Sequence, residues 1–250
     1  MFLIAAAMKE EIQIGLEFCR NVRQTPDAPI SLWEGTTCNG TQLYFLKTGV
    51  GPEKSAAAVR KAVEWKTPER ILVVGYAGAL DASLKLGDLV AVTKASSFRL
   101  DKNCQDWNPV PDDGIFHLAD AGKLEESAKN AGMNVLTGSI LSSSYVLGKP
   151  EHKELLSRRF QASVVDMETA FIARAAAEKN IPISCMRAVS DTAQDTFLEP
   201  FSHDPAMSLV DRAGKLLGNG MAQTYRDWKS HSAIAKESLR RFMEKWLQSK

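Results

Sequence analysis

The sequence predicts an α/β fold, a single domain with a mixed central β-sheet flanked by helices and an added C-terminal helix. Three observations carry this expectation. Short apolar runs of strand length recur, segments of helical periodicity separate them, and no Pro/Gly/Ser-rich linker or charge run divides the 250 residues. With 44% hydrophobic residues the chain can bury a substantial core. We expect one domain over residues 1–230 and a helical extension over residues 231–250.

Taken in order, FLIAA at 2–6 reads as a first buried strand. It lacks a basic leader, ends after a few residues and runs straight into Lys9, Glu10 and Glu11, unlike a signal peptide. A helix is expected over 8–19, a strand over 42–49 (QLYFLKTG) and a helix over 52–65. Strands at 70–78 (RILVVGYAG) and 88–95 (DLVAVTKA) precede helical segments at 117–131 and 151–159. A strand at 163–167 (SVVDM) leads into a helix over 167–179, whose Phe171, Ala175 and Ala176 share a face and which Asn180 and Pro182 stop. Next come a strand at 183–191 (ISCMRAVSD) and helical periodicity at 205–228. In the last stretch Ile234, Leu239, Phe242, Met243, Trp246 and Leu247 form an apolar stripe, read as a helix docking on the body, with a partner-binding helix as the alternative.

Net charge is +1 with scattered basic residues, which leaves no footprint for nucleic acid or an acidic membrane surface. The expected partner is a small molecule or another copy of the chain. Cys19, Cys38, Cys104 and Cys185 form no CxxC pair, which argues for free thiols in a reducing compartment and against a zinc site. No apolar stretch approaches the roughly 20 residues of a bilayer span, so a cytoplasmic location is expected. No metal or cofactor is expected.

Gly75 and Gly78 follow a strand, where missing side chains let backbone amides approach a ligand; a tight turn explains them equally well. Glu11, Glu168 and Asp191 each lie just beyond an expected strand. Cleaving an N-glycoside needs a proton for the leaving base and an activated nucleophile at the anomeric carbon, and carboxyl groups supply both. A strand-end acid can equally be a helix cap or a solvated group.

Five segments together resemble the nucleoside phosphorylase and nucleosidase superfamily, and most closely its methylthioadenosine/S-adenosylhomocysteine nucleosidase branch. They are AAAMKEEI at 5–12, TGVGPEKSAAA at 48–58, GYAGALDASLKLGDLV at 75–90, VVDMETAFIARAA at 164–176 and RAVSDTA at 187–193. The resemblance implies a nucleoside phosphorylase-like fold. It implies that Asp191, in its protonated form, donates to purine N7 and that Ser190 helps to hold it; a carboxylic acid kept protonated near neutrality needs desolvation or hydrogen bonding. It implies that Met167 packs on the ribose, that Glu168 accepts from the ribose hydroxyls, and that Glu11 activates water. Asp166 is expected to be structural. Gly78 matches the glycine turn, but Tyr76 stands where the branch carries serine, either packed away or bordering the pocket. In the base-binding segment, SSSYVL at 142–147, Leu147 keeps the backbone role toward the purine and Val146 replaces an aromatic residue. Trp107 and Phe116 are candidates for the wall around the 5′ group, with packing roles as the alternative.

The resemblance implies a purine nucleosidase that releases free base from a 5′-modified adenosine, working as a homodimer or higher homo-oligomer. The AAAMKEE stretch, with Glu10 and Glu11, disfavours phosphate and favours water as nucleophile, although Lys9 and Lys54 could still attract an anion. The alternatives are a phosphate-dependent purine nucleoside phosphorylase, a nucleosidase for larger conjugates of the adenosyl-hopanoid or futalosine type, and a non-catalytic nucleoside-binding protein.

Overall fold

The computed structural model describes residues 1–101, 107–112, 114–196 and 221–250, with side chains from 230 onward in the last stretch. Cys104 and the expected helical positions 205–220 lie outside the described residues.

Strand β1 (Phe2–Ala6) shows why the fold is layered. Leu3 and Ala5 join one buried cluster while Ile4 and Ala6 join another, so both faces of the strand are covered. β1 lies between β4 (Gln42–Lys47) and β5 (Arg70–Ala79), parallel to both, and β5 pairs in parallel with β11 (Ile183–Asp191). β6 (Leu89–Leu100) runs antiparallel to β11 and parallel to β9 (Val135–Ser142), which pairs in parallel with β10 (Val164–Asp166). β10 then returns to β5 through Val164 opposite Ala79 and Val165 opposite Gly78. The strands β5, β11, β6, β9 and β10 therefore close into a ring. β3 (Leu32–Thr36) and β2 (Arg20–Gln24) extend the sheet antiparallel beyond β4, and β7 (Pro109–Pro111) and β8 (Phe116–His117) pair with β6.

Helices cover both faces. On one side α2 (Pro52–Trp65) and α5 (Thr169–Ala177) pack together, burying Val59, Val63, Ala173 and Ala176 with Val73 and Ile183. On the other side α1 (Lys9–Leu16), α3 (Ala121–Asn130) and α6 (Met221–Gln248) bury Ile12, Ile14 and Leu124 with Leu72 and Val74. The C-terminal stripe docks as expected: Leu239, Phe242, Met243, Trp246 and Leu247 are buried. Ile234 stays half exposed over the turn at Gly87, where an added Cβ would meet its Cγ2 at 2.8 Å. α6 is continuous across residues 230 and 231. α4 (Pro150–Phe160) seats Leu156 and Phe160 in a third cluster with Leu80, Phe98 and Leu147.

One irregularity positions the site. β11 stays in register with β5 up to Val189 opposite Ala77, then shifts so that Asp191, not Ser190, faces Gly78. Such a bulge re-aims the last side chains of a strand.

Candidate active site

Glu11 is the third residue of α1 and is 3% exposed. Its Oε2 accepts the Met8 N–H at 2.8 Å, half of a capping arrangement at the helix start. Its Oε1 reaches across to β5 and accepts the Tyr76 N–H at 3.1 Å. Close approach requires Gly75, because a Cβ there would lie 2.6 Å from Glu11 Oε1 and 2.3 Å from Arg187 Nη1. Burial pushes the Glu11 carboxyl up from its ordinary range, against the pull of the Arg187 guanidinium and the two N–H groups.

Arg187 lies in the middle of β11 and is 1% exposed. Its Nη2 donates to Asp166 Oδ2 at 2.5 Å and to Thr169 Oγ1 at 2.7 Å. Burial alone would disfavour its charge, but Asp166 above all, then Cys185, Glu168 and Glu11, raise the guanidinium above its usual range and hold it positive. Asp166 is the structural anchor that the sequence suggested. It also accepts the Ser142 hydroxyl at 2.6 Å and the Thr169 N–H at 2.9 Å, capping α5.

Because Asp166 caps α5, Glu168 at the β10–α5 corner is released from that duty. Its Oε1 accepts the Gly51 N–H at 2.9 Å, at the start of α2. Burial and then the negative charge of Asp166 push the Glu168 carboxyl up to about 7, with Arg187 and the Gly51 N–H opposing. Glu11 contributes a smaller upward push, so the two glutamates sense one another. Met167, beside Glu168, is half-buried.

Asp191 ends β11 at 7% exposure and lies against Gly78, where a Cβ would sit 2.6 Å from Oδ2. Ser190 Oγ donates to Asp191 Oδ1 at 2.9 Å. Lys153 of α4 donates to Oδ2 at 2.7 Å from a fully buried position. The following turn is capped by a different acid, since Asp195 Oδ2 accepts the Thr192 N–H at 2.7 Å.

The Tyr76 ring packs against the α1–α6 side of the core, and what Tyr76 gives Glu11 is its backbone N–H. Leu147 is buried in the third cluster and Val146 is 37% exposed. Tyr145 packs edge-on against Phe98, with ring centroids 6.0 Å apart. Trp107 stacks on His152 at 3.9 Å and packs against the third cluster, and Phe116 packs against the cluster of α2 and α5. Lys9 and Lys54 are exposed. Among the described residues no group of three His, Cys, Asp or Glu side chains could hold a metal ion, and no helix is long and apolar enough to cross a membrane. Cys19, Cys38 and Cys185 are free thiols.

A family model described as the phosphorylase superfamily matches residues 2–221. The chain belongs to the phosphorylase superfamily. Among superfamily relatives, the 5′-methylthioadenosine/S-adenosylhomocysteine nucleosidase of Halalkalibacterium halodurans is 28% identical over 226 residues, covering 85% of this chain and 97% of that protein. The fold is similar to that of the futalosine hydrolase of Helicobacter pylori, with a TM-score of 0.75 at 19% identity, covering 100% of this chain and 97% of the other. It is similar also to the same type of methylthioadenosine nucleosidase from Neisseria meningitidis, solved with methylthio-immucillin-A, with a TM-score of 0.74 at 22% identity, covering 100% and 99%.

Two residues of this superfamily member escaped the sequence reading. Arg187 stands inside the quoted RAVSDTA segment, and a charged residue in an otherwise apolar strand run was the available signal. Lys153 belongs to none of the quoted segments. Its only signal is spacing, because positions 153, 156 and 160 share one helix face with buried or half-buried Leu156 and Phe160.

Proposed function

We propose that the chain is a purine nucleosidase that hydrolyses the N-glycosidic bond of a 5′-modified adenosine and releases free base. The observation that carries this reading is the pair of buried carboxylates, Glu11 and Glu168, gathered around Arg187 beside Gly75. A phosphate dianion entering there meets two acids and a guanidinium already engaged by Asp166, whereas water needs only an acceptor. A carboxylate raised toward neutrality by burial suits general-base work. The curated relatives, named as methylthioadenosine/S-adenosylhomocysteine nucleosidases, support the substrate class.

In this reading Asp191, in its protonated form, donates to purine N7 as the N9–C1′ bond breaks with its electron pair passing to the base. Ser190 orients that carboxyl. Glu168 accepts from the ribose hydroxyls and its negative charge stabilises the oxocarbenium-like sugar. Water held by Glu11 adds to C1′ and yields its proton to Glu11. Met167 packs on the ribose, Gly78 admits the substrate beside Asp191, and the backbone of Leu147, with Val146 beside it, borders the base. No cofactor or metal takes part. The enzyme works as a homodimer in the cytoplasm, and sedimentation velocity at micromolar concentration checks the assembly.

The test is a panel of adenosine, inosine, 5′-methylthioadenosine, S-adenosylhomocysteine and futalosine, each with and without phosphate, with chromatography for free base. Phosphate-independent release of adenine from a 5′-thio substrate is the expected result. Phosphate-dependent formation of a sugar 1-phosphate would make the chain a phosphorylase, and preferential cleavage of futalosine would move the substrate to the larger conjugates.

A further inference from the structure

Lys153 presents a buried ammonium with a specific set of acceptors. Its Nζ donates to Asp191 Oδ2 at 2.7 Å, to the Thr192 carbonyl at 2.7 Å and to the Asp195 carbonyl at 3.4 Å, on a side chain with no exposed surface. Burying an ammonium costs several kcal/mol unless it is paired and hydrogen-bonded, and a buried pair often adds nothing to stability over an apolar replacement. Stability is therefore a weak reason for this lysine on a helix face otherwise turned to the core. The carboxylate of Asp195 faces elsewhere: it takes the Thr192 N–H and lies 3.7 Å from His231 Nδ1.

The two oxygens of Asp191 are held unequally. Oδ2 is gripped by Lys153, whereas Oδ1 meets the Ser190 hydroxyl at 2.9 Å, and that hydroxyl has a second acceptor in the Ala77 carbonyl at 3.4 Å. A hydroxyl with a second acceptor can turn away and release Oδ1; Lys153 has no such freedom, because its other acceptors lie on the same turn. We propose that Lys153 is a positioning residue for acid catalysis: it anchors Asp191 Oδ2, leaves Oδ1 as the oxygen that carries the proton to the purine, and stabilises the carboxylate that remains. This rests on Asp191 being the proton donor. The balance is simple. The Oδ1–H bond breaks and its electron pair stays on Asp191, the N7–H bond forms, the N9–C1′ electron pair goes to the base, and Lys153 keeps all its protons throughout. The charge left on Asp191 then lies 2.7 Å from a fixed, buried ammonium.

The test compares two substrates with the same 5′-methylthioribosyl group. 5′-Methylthioadenosine needs a proton on its leaving base, whereas the matching p-nitrophenyl riboside releases a stable anion without one. Lys153→Met should lower kcat for methylthioadenosine by about 100-fold, within the range of general acid catalysis, with KM little changed and with a loss on the p-nitrophenyl substrate at least about tenfold smaller. Lys153→Gln, which keeps N–H donors for the Thr192 carbonyl without the charge, guards against loss of the fold and should show the same selectivity. Equal losses on both substrates, or no loss on either, would overturn the proposal. Asp191→Asn serves as reference. If it shows the selectivity and the Lys153 variants do not, the lysine assignment alone fails; if it shows none, the acid assignment fails and the proposal falls with it.

Discussion

Asp166 and Asp195 cap the local turns beside Glu168 and Asp191, which frees those two side chains for other work. Capping was the ordinary explanation for strand-end acids, and the geometry assigns it to their neighbours. Glu11 does both, one oxygen capping α1 and the other crossing to Tyr76. Asp191→Asn, which cannot supply an acidic proton, should lower purine cleavage by about 10²–10⁴-fold with substrate binding largely retained, as read by steady-state kinetics and equilibrium binding. Glu168 gives a pH prediction. Its carboxyl is raised from 4.5 to about 7 in the folded chain, so its contribution to stability is fully present below pH 4.5 and is lost as pH rises through about 7. Glu168→Gln removes that dependence. The variant's melting temperature relative to the parent should therefore be higher at pH 8 than at pH 4.5, by an amount worth up to roughly 3 kcal/mol. If Glu168 accepts from the ribose as proposed, the same titration should appear in catalysis, with kcat/KM falling below about pH 7 as its carboxyl becomes protonated.

At the scale of elements, the site depends on close approach between β5 and its neighbours. Gly78→Ala places a Cβ 2.6 Å from Asp191 Oδ2, and the carboxyl should be displaced, with loss of purine cleavage while far-ultraviolet circular dichroism stays close to the parent. α6 acts on stability instead. Phe242 is fully buried against the sheet, and Phe242→Ala should destabilise the chain by about 3–5 kcal/mol in denaturant unfolding. What the sequence revealed of these elements follows their chemistry. α2 and β11 have the expected bounds because Pro52 marks one start and Pro182, just before a largely apolar run, marks the other. β2 was illegible because RNVRQ is exposed at all five positions and carries no period. β9, reading VLTGSILS, hides its burial in small and hydroxylated residues that rarely announce a strand. The three acids to which we assign the chemistry stood in motifs, whereas Lys153 did not, because a lone lysine in a charged helix ordinarily reads as a solvated face.

For the whole molecule, ring closure through β10 and β5 is what makes one site from distant segments. Gly78 meets Val165 on one side and Asp191 on the other, so residues 87 and 113 positions apart in sequence share one chamber. No local pattern encodes that pairing, since it joins a three-residue strand to the far end of a ten-residue one. The charge beside Gly75, with Glu11, Asp166 and Glu168 around the buried Arg187, is the basis for proposing water as the nucleophile. The most direct measurement of that claim is a single-turnover reaction with 5′-methylthioadenosine in ¹⁸O-water, run with and without phosphate, followed by mass spectrometry of the sugar. Free 5-methylthioribose carrying one ¹⁸O at C1, at a rate indifferent to phosphate, is the result expected of hydrolysis by these residues. A sugar 1-phosphate without the label would contradict it.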